Sequence, residues 1–296
     1  MKKYISFDIG GTKVKHGLLF ENGSILSKGN YDTHCTNLEL FLKDIVDTIN
    51  MYKKNHHISG VGISLPGYIN PDIGYSELAG SVTALNNQNL KSLLEKKVSL
   101  RVEIENDGNC AALAEKISGN GKKCSDFICI ILGTGVGGGI FINGKLLRGH
   151  SFRGGEFGYM ITQAGREQCD IWHCNASTAA LIHSYKKLKG ISGSENIKGE
   201  TIFLEAVTDP SVKRLIDDWA RNISYGIFNL AATLNPQKIL IGGGVSSQQG
   251  LLSAIKNKLN QIHWWKDIQV PVERCKYQND AGMIGALYHL IQKQAR

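Results

Sequence analysis

At 296 residues, 42% of them hydrophobic and 20% charged, the chain has the length and composition of a globular protein with one large or two mid-sized domains. Its net charge of +8 is carried by dispersed Lys and Arg, clustered only as doublets such as Lys53-Lys54, Lys122-Lys123 and Lys186-Lys187, which suits a solvated basic surface or an anionic nucleotide better than a nucleic-acid footprint. No apolar run approaches bilayer length and the seven cysteines are odd in number and scattered, so neither a membrane segment nor a disulfide framework is expected, and the reading is cytoplasmic.

Strand and helix patterns alternate, which makes the class α/β. The opening Met1-Lys2-Lys3 is basic, but Asp8 and the glycines after it interrupt any leader-like apolar core. Residues 4–9 read as a strand ending at Gly10-Gly11, 14–20 as a second strand ending at the turn Asn22-Gly23, and 24–28 as a third. Leu38, Leu42, Ile45, Val46 and Ile49 recur at helical spacing over 38–53. Strand 60–65 leads into Pro66-Gly67, and strand 100–105 into Asn106-Asp107-Gly108, with a helical pattern over 109–117. Phe127–Leu132 then ends at Gly133-Thr134-Gly135, and the next strand reaches Asn143-Gly144. This repeats the start of the chain: nine residues separate Thr12 from Asn22, and eight separate Thr134 from Asn143. Such a duplication predicts two similar lobes, 1–120 and 121–296, divided at the turn-rich 118–125, with the last helix (about 280–293) crossing back to the first lobe.

Three glycine turns are candidate phosphate contacts. Gly10, Gly11, Thr12 and Lys13 stand in a β-turn-β setting, where exposed backbone N–H groups, a hydroxyl and a cation meet. Asp8 at the strand end is placed to hold Mg²⁺ through water. Gly133, Thr134, Gly135, Gly137 and Gly138 contain a G-x-G-x-x-G string, but a strand follows where a Rossmann fingerprint opens a helix, which argues against NAD. Gly242, Gly243 and Gly244 follow strand 238–241 and precede a helical pattern, so a nucleotide is expected over that helix N-terminus. No P-loop is present in the sequence. Together the turns point to a nucleotide held in a cleft between related lobes.

Phosphoryl transfer to an alcohol needs a carboxylate within hydrogen-bond reach of the hydroxyl. Asp107, at a strand end just before a helix, fits that role; on local grounds it, or Asn106, fits equally well as the cap of the helix. Glu156, in the loop Arg153-Gly154-Gly155-Glu156-Phe157-Gly158-Tyr159, and Asn106 are candidate partners of sugar hydroxyls.

These segments resemble the ROK family of sugar kinases and repressors. The match runs through Asp8-Ile-Gly-Gly-Thr12, Ile63-Ser-Leu-Pro-Gly67, Glu105-Asn-Asp107, Leu132-Gly-Thr-Gly135, Gly155-Glu156-Phe-Gly158 and Ile241-Gly-Gly-Gly244. The resemblance implies a two-lobed actin-like/ribonuclease H-like ATPase fold with duplicated βββαβα-type lobes, ATP and Mg²⁺ as cofactors, a small-molecule sugar substrate, no nucleic acid and a homodimer. It implies that Asp107 is the general base, that Asn106 and Glu156 bind sugar hydroxyls, and that Pro66 and Gly67 line the sugar pocket. The turns at 10–12 and 133–138 would hold phosphates, and 242–244 would lie by the adenosine. The repressor branch carries an N-terminal helix-turn-helix, for which a phosphate turn beginning at Asp8 leaves no room.

Departures from the family pattern bear on the acceptor. Zinc-bearing members have a His where Tyr159 stands, followed by a cysteine cluster that is reduced here to Cys169 and Cys174. Cys169, His173 and Cys174 would supply three ligands, but adjacent residues seldom reach one ion, so no structural zinc is expected. The second sugar-binding Glu of glucokinase-like members falls near His173, which puts Tyr159 and His173 at the substrate end of the pocket. The stretch 104–160 is very similar to the β-glucoside kinases of the family. The expected reaction is therefore ATP-dependent phosphorylation of the 6-hydroxyl of β-glucosides such as cellobiose. The alternatives are glucose or N-acetylmannosamine as acceptor, or a sugar-sensing regulator that has lost catalysis.

Overall fold

The computed structural model describes residues 1–163 and 171–295. The chain forms two compact units: Met1–Lys122, Leu146–Gly154 and Asp280–Arg296 in the first, Lys123–Lys145 and Gly155–Asn279 in the second. The segment 146–154 and the C-terminal helix thus belong with the N-terminal 122 residues. No helix among the described residues is long and apolar enough to cross a membrane.

In the first unit β1 (Lys3–Ile9) is buried along most of its length, as a strand covered on both faces must be. It pairs antiparallel with β2 (Lys13–Phe20), which pairs antiparallel with β3 (Ile25–Asp32), and it pairs parallel with β4 (Val61–Leu65). A small antiparallel sheet of β5 (Tyr68–Asn70), β6 (Tyr75–Leu78) and β7 (Gln88–Asn89) follows, and β8 (Val102–Asn106) closes the main sheet beside β4 in the order β3-β2-β1-β4-β8. The third strand runs four residues past its predicted end because Tyr31 and Asp32 still find partners in Val14 and Lys13. Helices α1 (Leu38–Lys53), α2 (Leu90–Val98) and α3 (Asp107–Ser118) are capped by Asn37, Asn89 and Asn106, whose side-chain oxygens accept the N–H three residues on. Phe7, Ile45, Ile49, Ile63, Leu94 and Ile104 are among the buried residues of the core.

The second unit repeats the plan. Its strands β9 (Phe127–Leu132), β10 (Val136–Ile142), β11 (Lys145–Leu146), β12 (Lys238–Gly242) and β13 (Val272–Arg274) are ordered β11-β10-β9-β12-β13, again a hairpin on one side of a central strand and two parallel strands on the other. At the turn between β10 and β11 both Asn143 and Gly144 have positive φ, as a two-residue hairpin of matching twist requires. The helices are α4 (Trp172–Ala176), α5 (Thr178–Lys189), α6 (Gly199–Glu205), α7 (Pro210–Leu234), α8 (Leu251–Asn260) and α9 (Trp265–Ile268). Asp209 caps α7, and Pro210 takes the first position, where its missing N–H costs nothing. Trp172 lies in this core, its Nε1 donating to the Asn222 carbonyl at 2.8 Å and its ring lying where any side chain at residue 226 would go, so Gly226 is required beneath it.

The last helix, α10 (Ala281–Gln294), packs on α3, β4, β1 and β8. Close backbone approach makes this possible: a side chain at Gly285 would overlap the Cys110 backbone, and one at Gly62 would meet the Ala286 backbone.

Candidate active site

The C-terminal ends of β1, β4 and β8 carry the candidate residues of the first unit, the end of a parallel sheet at which ligands bind. Asn106, not Asp107, caps α3: its Oδ1 accepts the Asn109 N–H at 3.0 Å. Its Nδ2 donates to the Gly67 carbonyl (3.0 Å) and to Asp107 Oδ1 (3.1 Å), so one amide ties the Pro66-Gly67 turn to the carboxylate. Both donors of Asn106 are thereby engaged within the protein, and what it can still offer a ligand is an Oδ1 lone pair. Gly67 has φ +96° and a hydrogen that no side chain could replace, since the Leu78 carbonyl lies against it. Asp107 is the first residue of the helix, is exposed, and also accepts the Gly108 N–H at 2.8 Å.

Asp8 sits across the β1–β2 hairpin from Lys15, with Oδ2 3.0 Å from Lys15 Nζ and Oδ1 2.9 Å from Ser64 Oγ. Burial, and then the charges of Glu105, Asp8 and Asp107, push the thiol of the fully buried Cys110 well above its ordinary range. Each carboxylate oxygen of Asp8 keeps a further lone pair, enough for water-mediated contact with a hydrated Mg²⁺.

In the first glycine turn, the carbonyls of Gly10, Gly11 and Thr12 accept from Thr33 Oγ1 (2.7 Å), Cys35 Sγ (3.0 Å) and Thr33 N (3.1 Å). In a trans peptide the N–H points opposite to the C=O, so the N–H groups of Gly11 and Thr12 are directed away from residues 33–35, as a phosphate cradle needs. Lys13 is paired with Asp32 at 2.7 Å, which holds the Asp32 carboxyl below its usual range.

The second unit brings together the other turns. Gly243, with φ +90°, leans on the Leu132 backbone and so sets the 242–244 turn beside the 133–138 turn. Thr178 fastens the latter, its N–H on the Gly133 carbonyl (2.9 Å) and its hydroxyl on that of Leu132 (3.1 Å). A Cβ at Gly133, Gly137 or Gly244 would meet nothing within 4 Å, so these glycines border open space. The segment after Gly244 is a short 3₁₀ turn over Gly244–Ser247, and the predicted helix starts only at Leu251, because Gln248 is extended and Gly250 has φ +86°.

Glu156 follows a glycine that packs on the 133–138 turn. Gly155 (φ +95°) packs its backbone on Gly138, Phe157 enters the core, and Gly158 lies against Val136 and the His173 side chain. His173, on α4, lies against Gly135, and Tyr159 is exposed. Cys169, weighed as a zinc ligand with Cys174, lies outside the described residues; among those described, no three His, Cys, Asp or Glu side chains form a metal cluster. Sequence reasoning missed Ser64, Lys15, Glu105, Arg148 and Thr178. Only Lys15 left a signal, since any hairpin pairing Ile9 with Val14 sets it opposite Asp8.

The ROK family pattern matches residues 4–293. A beta-glucoside kinase from Listeria innocua is 36% identical over 298 residues, covering 99% of each chain. Two solved structures share the architecture: a ROK family protein from Streptococcus pneumoniae in complex with sucrose (TM-score 0.88, 28% identity, 99% of each chain) and a ROK family glucokinase from Streptomyces griseus in complex with glucose and AMPPNP (TM-score 0.83, 30% identity, 96% of this chain and 98% of that one). With its duplicated sheets and its glycine turns, the chain belongs to the ROK family and has the two-lobed actin-like ATPase fold of that family's sugar kinases.

Proposed function

We propose that this protein, an ATP-dependent sugar kinase, transfers the γ-phosphoryl group of ATP to the 6-hydroxyl of a β-glucoside such as cellobiose. The observation that carries the mechanism is the division of labour at the start of α3: Asn106 does the capping, and Asp107 is held by the same side chain at the sheet end. As the hydroxyl oxygen attacks phosphorus and the bond to the ADP oxygen breaks, Asp107 takes the hydroxyl proton, which makes the oxygen a competent nucleophile near neutral pH. We assign phosphate contacts to Gly10, Gly11, Thr12, Lys13, Gly133, Thr134, Gly135, Gly137 and Gly138, adenosine contacts to Gly242, Gly243 and Gly244, and Mg²⁺ to Asp8 through water. When bound, the ion neutralises charge developing on the phosphates. Sugar contacts are assigned to Pro66, Gly67, Asn106 and Glu156, with Tyr159 and His173 at the anomeric end.

The β-glucoside acceptor rests on the similarity to a beta-glucoside kinase, and on the family resemblance by which the second sugar-binding Glu of glucokinase-like members falls near His173. The structural relative bound to sucrose adds a disaccharide in a fold of this kind. A homodimer and, because ATP is consumed, a cytoplasmic location belong to the same reading. Initial rates with cellobiose, glucose and N-acetylmannosamine at saturating Mg·ATP test the acceptor. Cellobiose is expected to give the highest kcat/KM; a clear preference for free glucose or N-acetylmannosamine rejects the β-glucoside, and no turnover with any sugar rejects the kinase.

A further inference from the structure

We infer that Arg148 is a positioning residue for Asp107, acting through the buried carboxylate of Glu105; this rests on Asp107 being the general base. Glu105 is wholly buried one residue before the end of β8. Its carboxylate receives four donors. Oε1 accepts the Asn106 backbone N–H at 3.0 Å and Asn109 Nδ2 at 3.1 Å. Oε2 accepts Arg148 Nε at 2.8 Å and Nη2 at 2.6 Å. One oxygen therefore grips the residue ahead of Asp107 and the first turn of α3, and the other is gripped by a guanidinium fork.

Keeping a carboxylate buried this deeply is costly unless a cation and hydrogen bonds compensate it. Arg148 stays protonated in any protein environment, and its Nε and Nη2 converge on Oε2, the oxygen that the start of α3 leaves unused. His289 on α10 is another basic group beside it, with Nδ1 3.5 Å from Glu105 Oε2, but burial lowers its pKa to about 4, so it is neutral near neutral pH and Arg148 is the charged partner of Glu105. Asp8 and Asp107 are carboxylates themselves, and the Cys110 thiol is held protonated.

Arg148 is itself anchored. Its carbonyl accepts the Gly154 N–H at 2.8 Å, and Arg153 at the far end of the loop lies 4.3 Å above the Tyr68 ring and 2.6 Å from Glu77. Phe152 between them adopts φ +59°, a conformation a bulky residue takes only where its surroundings impose it. The loop thus reaches the two sides of the Asp107 strand end through two arginines: Arg148 to Glu105, and Arg153 to the residue after Gly67.

The test compares Arg148→Lys, Arg148→Gln, Glu105→Gln/Arg148→Gln and Asp107→Asn under steady-state conditions, per mole of folded enzyme. Lys keeps the charge and loses the fork, so R148K is expected to fold and to lose about tenfold in kcat with KM for ATP within about twofold of the parent. R148Q leaves Glu105 buried and uncompensated and is expected to lose about a hundredfold, the size of effect that misplacing a reacting group produces. The double variant removes both charges and is expected to recover part of that loss. Arg148 variants with kcat within twofold of the parent, a loss confined to thermal stability, or a double variant no better than R148Q would overturn the proposal. If R148Q does not fold, R148K and the double variant decide by the same criteria. D107N separates the two readings: if it keeps turnover, the base assignment fails; if it is inactive while both Arg148 single variants match the parent, only the positioning role fails.

Discussion

Asn106 and Asp107, adjacent in the chain, share one amide: Asn106 Nδ2 lies 3.1 Å from Asp107 Oδ1 while Asn106 Oδ1 caps the helix that Asp107 begins. The carboxylate therefore depends on its neighbour for direction, and the neighbour's two ends have separable consequences. Asn106→Ala removes the cap and should lower stability by roughly 0.5–2 kcal/mol and kcat with it. Asn106→Ser restores an acceptor for the Asn109 N–H, but its shorter side chain has a single O–H in place of the two amide donors to Gly67 and Asp107, so the thermal midpoint should recover and kcat should not. Thermal melts alongside initial rates check this, and joint recovery would reduce Asn106 to a cap.

Asp107→Asn keeps the shape of the site and removes the proposed base. A fall in kcat of about 10²–10⁴-fold is expected, the usual contribution of general base catalysis, with affinity for a non-hydrolysable ATP analogue nearly unchanged by calorimetry. Retained turnover would assign the proton to another group.

The glycine turns divide into two kinds that substitution should distinguish. Gly133→Ala and Gly244→Ala introduce a methyl group into open space at an ordinary φ, so folding should change by less than about 1 kcal/mol. The same methyl faces the proposed nucleotide, and KM for ATP should rise about tenfold, equivalent to ~1.4 kcal/mol of binding. Gly243→Ala, at φ +90° against the Leu132 backbone, should instead destabilise the unit by about 1–3 kcal/mol. Melting curves with and without nucleotide make the comparison. An unchanged KM in both open-turn variants would remove these turns from the nucleotide site.

His289 should leave a mark on acid stability. Its pKa is lowered from 6.5 to about 4 by burial, against the opposing charge of Glu105. The unfolded chain therefore binds a proton below pH 6.5 that the folded chain refuses until about pH 4, and stability falls as the pH is lowered through that window. Denaturant titrations between those limits should show a shallower slope for His289→Gln than for the parent protein. An identical slope would mean that His289 is protonated in the folded state.

Much of this protein is legible in its residues. The paired Gly-Thr turns and Asn-Gly hairpins reveal the duplication, since a hairpin of fixed length between alternating strands has few other solutions, and the two sheets are ordered alike. The carboxylate Asp107 and the turns at 10–13, 133–138 and 242–244 could be named from local chemistry, because a strand end followed by glycine or by a helix start is a local feature. Tertiary structure alone showed which of 106 and 107 caps the helix, since both residue types cap helices and only the rotamers show which one does. It alone brought Arg148 and His289 to Glu105, across separations of 43 and 184 residues, and turned Trp172 into a core anchor over Gly226. Pattern and turn chemistry act over a few residues, whereas the partners of a buried charge are chosen by packing. Asp107 could thus be read from its place at a strand end, and the residues that hold it only from the fold.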